Sequence, residues 1–238
     1  MRIAVLSDIH ANLTALEAVI SDLRTVAPDL VIQGGDVVGG GARPAEVIDL
    51  LRDMNWPGVF GNTDEMLWMP ERVSAQLRTP ALASVRDGLL AYTIPRTIAA
   101  IGEERLAWLR ALPLRQSWGE VSVVHATAED TWPVVPTTAS DAELERGYAA
   151  LGAKVAVYGH IHHPFVRRLA GLTVVNTGAV GFSLDGDPRA SYAVIDNDQV
   201  SIRRVAYDVD AEVELLLRSD DPFRTSTIAT LRTGRYAA

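Results

Sequence analysis

Seven residues carry donor atoms suited to holding cations and moving protons: Asp8, His10, Asp36, Asn62, His125, His160 and His162. Each stands where a short apolar run has just ended. The chain has five histidines. Four belong to this set, and the fifth, His163, adjoins two of them. The donors are two carboxylates, one carboxamide and four imidazoles, all oxygen and nitrogen. Seven such groups suffice for two metal ions with water in the open positions, whereas one zinc site needs only three or four. The chemistry open to either arrangement is polarisation of an oxyanion and activation of a water molecule.

The elements that must deliver these groups can be read from the apolar pattern. Ile3-Ala4-Val5-Leu6 predicts a buried strand ending at Ser7-Asp8-Ile9-His10. A helix follows, with Leu13, Leu16, Ile20 and Leu23 at three- and four-residue spacings and Asn12 placed to cap it. Ala27-Pro28-Asp29 breaks that pattern, and Leu30-Val31-Ile32 predicts a second strand leading to Gly34-Gly35-Asp36. Pro44 suits the first turn of a helix reaching about Asp53. Pro57-Gly58-Val59-Phe60 reads as a third strand, delivering Gly61-Asn62-Thr63-Asp64. This β-α-β-α-β rhythm predicts parallel strands with right-handed crossovers, which would gather the polar ends along one sheet edge.

Residues 65–111 are rich in Leu, Ala and Arg and predict two or three helices, roughly 71–91 and 103–111, inserted beside the site. Strands resume at Val121–Val124, ending in His125, and at Val155–Tyr158, ending in Gly159-His160-Ile161-His162-His163. Between them lie a polar loop, Thr127 to Ser140, and a helix from Asp141 to Leu151. Apolar runs at Phe165–Leu169, Leu172–Asn176, Ser191–Ile195 and Val200–Tyr207 alternate with turns such as Asp196-Asn197-Asp198 and predict an antiparallel meander. Asp210 is placed to cap a last helix through Leu217, and the tail from Arg224 to Ala238 shows no pattern.

Composition narrows the function. With no cysteine, thiolate catalysis and sulfur-ligated metals are excluded. A net charge of −8 argues against a basic nucleic-acid-binding surface. No apolar stretch approaches the ~20 residues of a membrane span. Asp8 and His10 interrupt the N-terminal apolar run before it could serve as a signal peptide, so a cytoplasmic protein is expected. The 238 residues suit one large α/β domain.

The ordered motifs Asp8-x-His10, Gly35-Asp36, Gly61-Asn62-x-Asp64, His125 and Gly159-His160-x-His162 resemble the metallophosphoesterase (calcineurin-like phosphoesterase) superfamily, over residues 1 to about 207. Ser7-Asp8-Ile9-His10 with Asn12 resembles its small prokaryotic phosphodiesterase branch. The resemblance implies an α/β fold, a four-layer α-β-β-α sandwich of two mixed sheets flanked by helices. It implies a first metal on Asp8, His10 and His162, a second on Asn62, His125 and His160, and Asp36 bridging both. Mn²⁺ leads as the divalent ion, with Fe, Zn, Ni or Mg as alternatives. The implied reaction is hydrolysis of phosphodiester bonds in a small phosphoester or nucleotide by a water that the two ions activate. Phosphomonoesterase or dinucleotide polyphosphate hydrolase activity, or a non-catalytic scaffold of the same fold, are the rival readings.

Asp36, Asn62, Asp64 and His125 are the expected catalytic residues, with Asp64 orienting its neighbours. Asn12 and Thr63 are candidate substrate contacts. Two departures from the family pattern stand out. Thr63 occupies a position where many members carry a histidine that acts on the leaving oxygen. Ala11 replaces a frequent glycine. Gly39-Gly40-Gly41 could present backbone amides to a phosphate or form a plain loop. Trp68 and Trp132 are read as packing residues before stacking platforms.

Overall fold

The computed structural model describes residues 1–197 and 199–236. Asp198 of the predicted turn and the last two residues of the tail lie outside the described residues. In chain order the first elements are β1 (Arg2–Leu6), α1 (Leu13–Val26), β2 (Leu30–Gln33), α2 (Pro44–Asp53) and α3 (Asn62–Glu65), a single turn. Then come α4 (Glu71–Gln76), α5 (Ala83–Gly88), a π-helical turn Leu89–Thr93, and α6 (Ile94–Ala111). The remainder is β3 (Arg115–Trp118), β4 (Val121–Val124), α7 (Asp141–Tyr148), β5 (Val155–Tyr158), β6 (Phe165–Arg168), β7 (Thr173–Asn176), β8 (Ala190–Asp196), β9 (Gln199–Val205), α8 (Val209–Leu217) and α9 (Arg224–Thr233).

The strands form two mixed sheets. One has the order β2-β1-β8-β9, with β1 and β2 parallel and the other pairs antiparallel. The other has the order β3-β4-β5-β7-β6, with β4, β5 and β7 parallel. Strand alternation builds the layers. Ile3, Val5, Val121, Val123, Val155 and Val157 face one another between the sheets. Ala4 and Leu6, on the opposite face of β1, pack under Leu16 and Val19 of α1, Val47 and Ile48 of α2, and Leu109 of α6. Val124, Ala156 and Tyr158 turn the other way, onto Leu144 and Tyr148 of α7. Both faces of the central strands β1, β4 and β5 are therefore dry, which is why these strands read as nearly unbroken apolar runs. The result is an α-β-β-α sandwich.

Several expectations are corrected. The predicted meander does not form. β6 and β7 join β5 in the second sheet, while β8 and β9 join β1 in the first. The predicted third strand, 57–60, pairs only through a single parallel bridge between Gln33 and Gly58, because Pro57 has no N–H to donate. The predicted helix over 71–91 is broken into short pieces around Pro80, and the predicted start at 103 is a kink at Gly102 (φ 70°) inside α6. β3 and α9 were not foreseen.

Candidate metal centre

The ligands come from both sheets, not from one parallel edge as the sequence rhythm implied. Asp8 and His10 leave β1, and Asp36 leaves β2. His125 leaves β4, and His160 and His162 leave β5. The loops after β1 and β2 run side by side, with Asp8 N–H donating to Gly35 O (3.0 Å) and His10 N–H to Asp36 O (2.9 Å). The two sheets are joined here as well, since His160 N–H, after β5, donates to the Asp8 carboxylate, after β1, at 3.0 Å.

Turning seven side chains into one space distorts the backbone. Asp8, His10, Asp36, His160 and His162 all have φ between 51° and 65°. A non-glycine residue there costs roughly 1–2 kcal/mol, and such strain concentrates at functional sites. The motif glycines have a different reason. A Cβ on Gly61 would lie 2.1 Å from Asp36 Oδ1, and one on Gly159 would lie 2.3 Å from Asp8 Oδ2. Each glycine is needed because a ligand carboxylate occupies the place of its side chain.

The donors fall into two groups that share Asp36. Asp8, His10, Asp36 and His162 can place one atom each within 4.8 Å of one another, and so can Asp36, His125 and His160. Asn62 completes the second group, its Oδ1 standing 3.0 Å from His125 Nε2. Each imidazole has one nitrogen facing a backbone carbonyl. Nδ1 of His10 faces Gly39 O, Nδ1 of His125 faces Gly34 O, Nδ1 of His162 faces Phe182 O, and Nε2 of His160 faces Trp132 O. A nitrogen opposite a carbonyl carries the hydrogen, so the other nitrogen turns a lone pair into the site.

This creates contacts that neutral groups cannot satisfy. His10 Nε2 and His162 Nε2 are 3.1 Å apart, and His125 Nε2 meets the Asn62 carbonyl oxygen. Acceptor faces acceptor, inside a buried space, beside two carboxylates. Positive charge belongs between them. Without metal, protons supply part of it. Burial pushes His125 down, but Asp36 and Asp8 overcome this and raise it to about 9. His162 is likewise raised by Asp8 against its burial, while burial lowers His10 and brings His160 to about 4. Burial alone would raise Asp8 and Asp36, yet the imidazoles around them hold both below the usual carboxylate range. Divalent ions fit this donor set: hard carboxylate and amide oxygens plus imidazoles oriented by their outer hydrogen bonds.

Asp64 stays out of the ligand set. It accepts from the N–H groups of Gly61, Val37 and Val38 at 2.9–3.1 Å, clamping the Asp36 loop to the Asn62 turn. Burial and the nearby Asp36 raise it to about 7, against those three donations. Thr63 donates its N–H to Asp36 Oδ1 and its hydroxyl to Val38 O. Asn12 is committed to the fold: Oδ1 caps α1 at Ala15 N, Nδ2 donates to Gly181 O, and the side chain is buried. This is the helix cap that the sequence placed there. Trp132 donates Nε1 to buried Glu65 while its carbonyl orients His160, and Trp68 packs edge-on to Phe60. His163 turns Nδ1 to Ile161 O and joins neither ligand group.

One supporting residue went unforeseen. Glu65 accepts from Thr131 and Trp132 and so holds the loop carrying the carbonyl that His160 faces. Its position one residue after the Asp64 motif was the only sign of it.

The sequence matches the calcineurin-like phosphoesterase superfamily domain over residues 1–199. An uncharacterized protein of Methanocaldococcus jannaschii is 30% identical over 243 residues, covering 92% of this chain and 93% of that one. The crystal structure of a metallophosphoesterase from Sphaerobacter thermophilus is 30% identical with a TM-score of 0.80, over 98% of this chain and all of that one. A hypothetical protein of Pyrococcus horikoshii shares the fold at 20% identity, with a TM-score of 0.85 over 99% of each chain.

Proposed function

The chain belongs to the calcineurin-like phosphoesterase superfamily, and from that premise we propose that it is a cytoplasmic hydrolase of phosphodiester bonds using two divalent ions, Mn²⁺ foremost. The observation that carries this reading is the set of four imidazoles. Each is fixed by a backbone carbonyl and aims its other nitrogen at a space edged by Asp8, Asp36 and Asn62. Asp8, His10 and His162 would hold one ion and Asn62, His125 and His160 the other, with Asp36 shared. When bound, such ions polarise phosphoryl oxygens and lower the pKa of a water nucleophile.

The chain's own residues do the rest. The strained loops hold the donors in place before substrate arrives, so little reorganisation is left for the reaction. Asp64 fixes Asp36 and Asn62 relative to one another through its three amide contacts. The Thr63 hydroxyl, where a proton donor would be wanted, already donates to Val38 O. Its lone pairs remain free to accept a hydrogen bond, but it supplies no acid. The leaving oxygen must therefore depart with help from solvent, which favours esters with good leaving groups.

The test is hydrolysis of bis(p-nitrophenyl) phosphate against p-nitrophenyl phosphate with and without Mn²⁺. The diester is expected to turn over faster, and Asp36→Asn should lower its kcat/KM by about 10³-fold or more, since several kcal/mol of charge stabilisation pass through that carboxylate. No metal-dependent turnover of either ester, or an Asp36→Asn variant with full activity, would sink the proposal. A folded protein that takes up no metal would point to the scaffold reading.

A further inference from the structure

Beside the first ligand group lies a pocket of about 240 Å³. His10 and His162 form part of its lining, together with Thr63. Met66, Val85, Leu89, Phe182 and Phe223 supply apolar wall, and Asp221, Ser226 and Tyr236 add polar groups toward the C-terminal segment. Phe182 stands edge-on to both imidazoles, with ring centroids 5.9 Å away. Among the described residues no lysine or arginine lines it. The segment that the sequence left without a pattern closes the far side, since Phe223, Thr227 and Thr230 bring the start and buried face of α9 against it.

One polar atom in that wall is unexplained by the fold. Thr93 is 8% exposed, and its Oγ1 has no hydrogen-bond partner. An unpaired buried hydroxyl costs roughly 1–3 kcal/mol. Thr93 ends the π-helical turn Leu89–Thr93, whose first residue also lines the pocket. A π turn is an irregularity that recurs at functional sites. Apolar walls with a small number of polar groups are what a small-molecule site presents.

A larger pocket of about 540 Å³ meets this one at Gly40, Thr93 and Asp221, but none of the seven ligands lines it. Its arginines already face carboxylates: Arg43 with Glu212, Arg96 with Asp220 and Arg218 with Glu214. The smaller pocket is the one that touches the ligands.

We propose that the pocket between the first ligand group and α9 receives one organic substituent of the phosphoester, a flat ring without negative charge, whose hydrogen-bonding edge meets the unpaired Thr93 hydroxyl once that buried side chain turns toward the pocket. The inference rests on the phosphoesterase reading for the position of the phosphorus. With Asp221 in the lining and no lysine or arginine, the walls disfavour a second anionic group, and about 240 Å³ is room enough for a ring system. The ring's source, a nucleobase or another heteroaromatic group, is a matter of the same contacts.

The test is binding, kept apart from turnover. The Mn²⁺-loaded protein is titrated calorimetrically with methylphosphonate, phenylphosphonate, 3-pyridylphosphonate and a uracil-bearing phosphonate. Phenylphosphonate should bind at least about tenfold more tightly than methylphosphonate, equivalent to about 1.4 kcal/mol. Val85→Trp, which fills the pocket, should bring that ratio near one. Phe223→Ala, which opens it from the other side, should reduce the ratio severalfold and guards against misfolding of the first variant. Thr93→Val should weaken the pyridyl or uracil compound about threefold more than the phenyl one. Whichever of the two loses more identifies the preferred ring. Equal binding of methyl and phenyl compounds, or a ratio untouched by both pocket variants, overturns the proposal. Ring preference without hydrolysis of any ester would leave the pocket standing and reject the activity; hydrolysis without ring preference would do the reverse.

Discussion

The loops at the strand ends and the helices that cover them are held by different physics. In the loops, polar contacts and strained backbone dominate: five of the ligands sit at positive φ, and the carboxylates of Asp8, Asp36 and Asp64 are tied down by N–H donors. In the cover, α2, α4 and α6 rest on the sheet through Val47, Ile48, Val73, Ile101 and Leu109, all buried. The first region spends stability to fix a geometry, and the second supplies it. Damage to each should therefore show in different measurements.

The largest stability effect is expected in the cover. Leu109→Ala removes a fully buried side chain and should lower unfolding free energy by about 2–5 kcal/mol. Metal uptake well below the melting temperature should stay as in the parent protein. Loss of metal binding in the folded variant would erase the distinction between the regions. Next comes Asp64→Asn. Both carboxylate oxygens accept from amides, so the new NH₂ must face an N–H donor. Metal affinity should fall about 10–100-fold, as for other residues that orient ligands from behind. A variant with unchanged affinity would remove Asp64 from its positioning role.

The smallest effect tests the strain itself. Ala11 lies at φ 57° and is fully buried. Ala11→Gly should relieve that conformation and stabilise the protein, or at worst leave it unchanged, within about 1 kcal/mol. Clear destabilisation in thermal melts would show that the Ala11 methyl packs more than it strains. Metal uptake should also weaken on acidification, because protons compete for the same imidazole lone pairs. For His125, raised to about 9 in the metal-free protein, that competition operates throughout the neutral range. Titration of Mn²⁺ affinity between pH 6 and 8 checks the sign.

The same contrast explains what could be read from the chain. Val121–Val124 and Val155–Tyr158 are four-residue, mainly apolar runs followed at once, or after one glycine, by a histidine, so strand and ligand are announced together. The partition of strands between sheets was hidden, because it depends on pairings such as β1 with β8, about 190 residues apart in sequence. β3 escaped notice because Arg115-Gln116-Ser117-Trp118 is a half-exposed edge strand with little apolar content. α9 escaped because its buried face consists largely of Thr227 and Thr230, with Leu231 as the apolar member. Asn12 shows the limit at a single residue: a polar side chain beside a ligand motif is equally consistent with a cap, and only its contacts decide.

The central claim is that two ligand groups share Asp36. Metal content of the Mn²⁺-loaded, gel-filtered protein measures it directly, using the parent chain, His162→Ala and His125→Ala. The account predicts two ions per parent chain and about one in each variant, with the remaining ion held by the untouched group. One ion in the parent, or two in both variants, would contradict it.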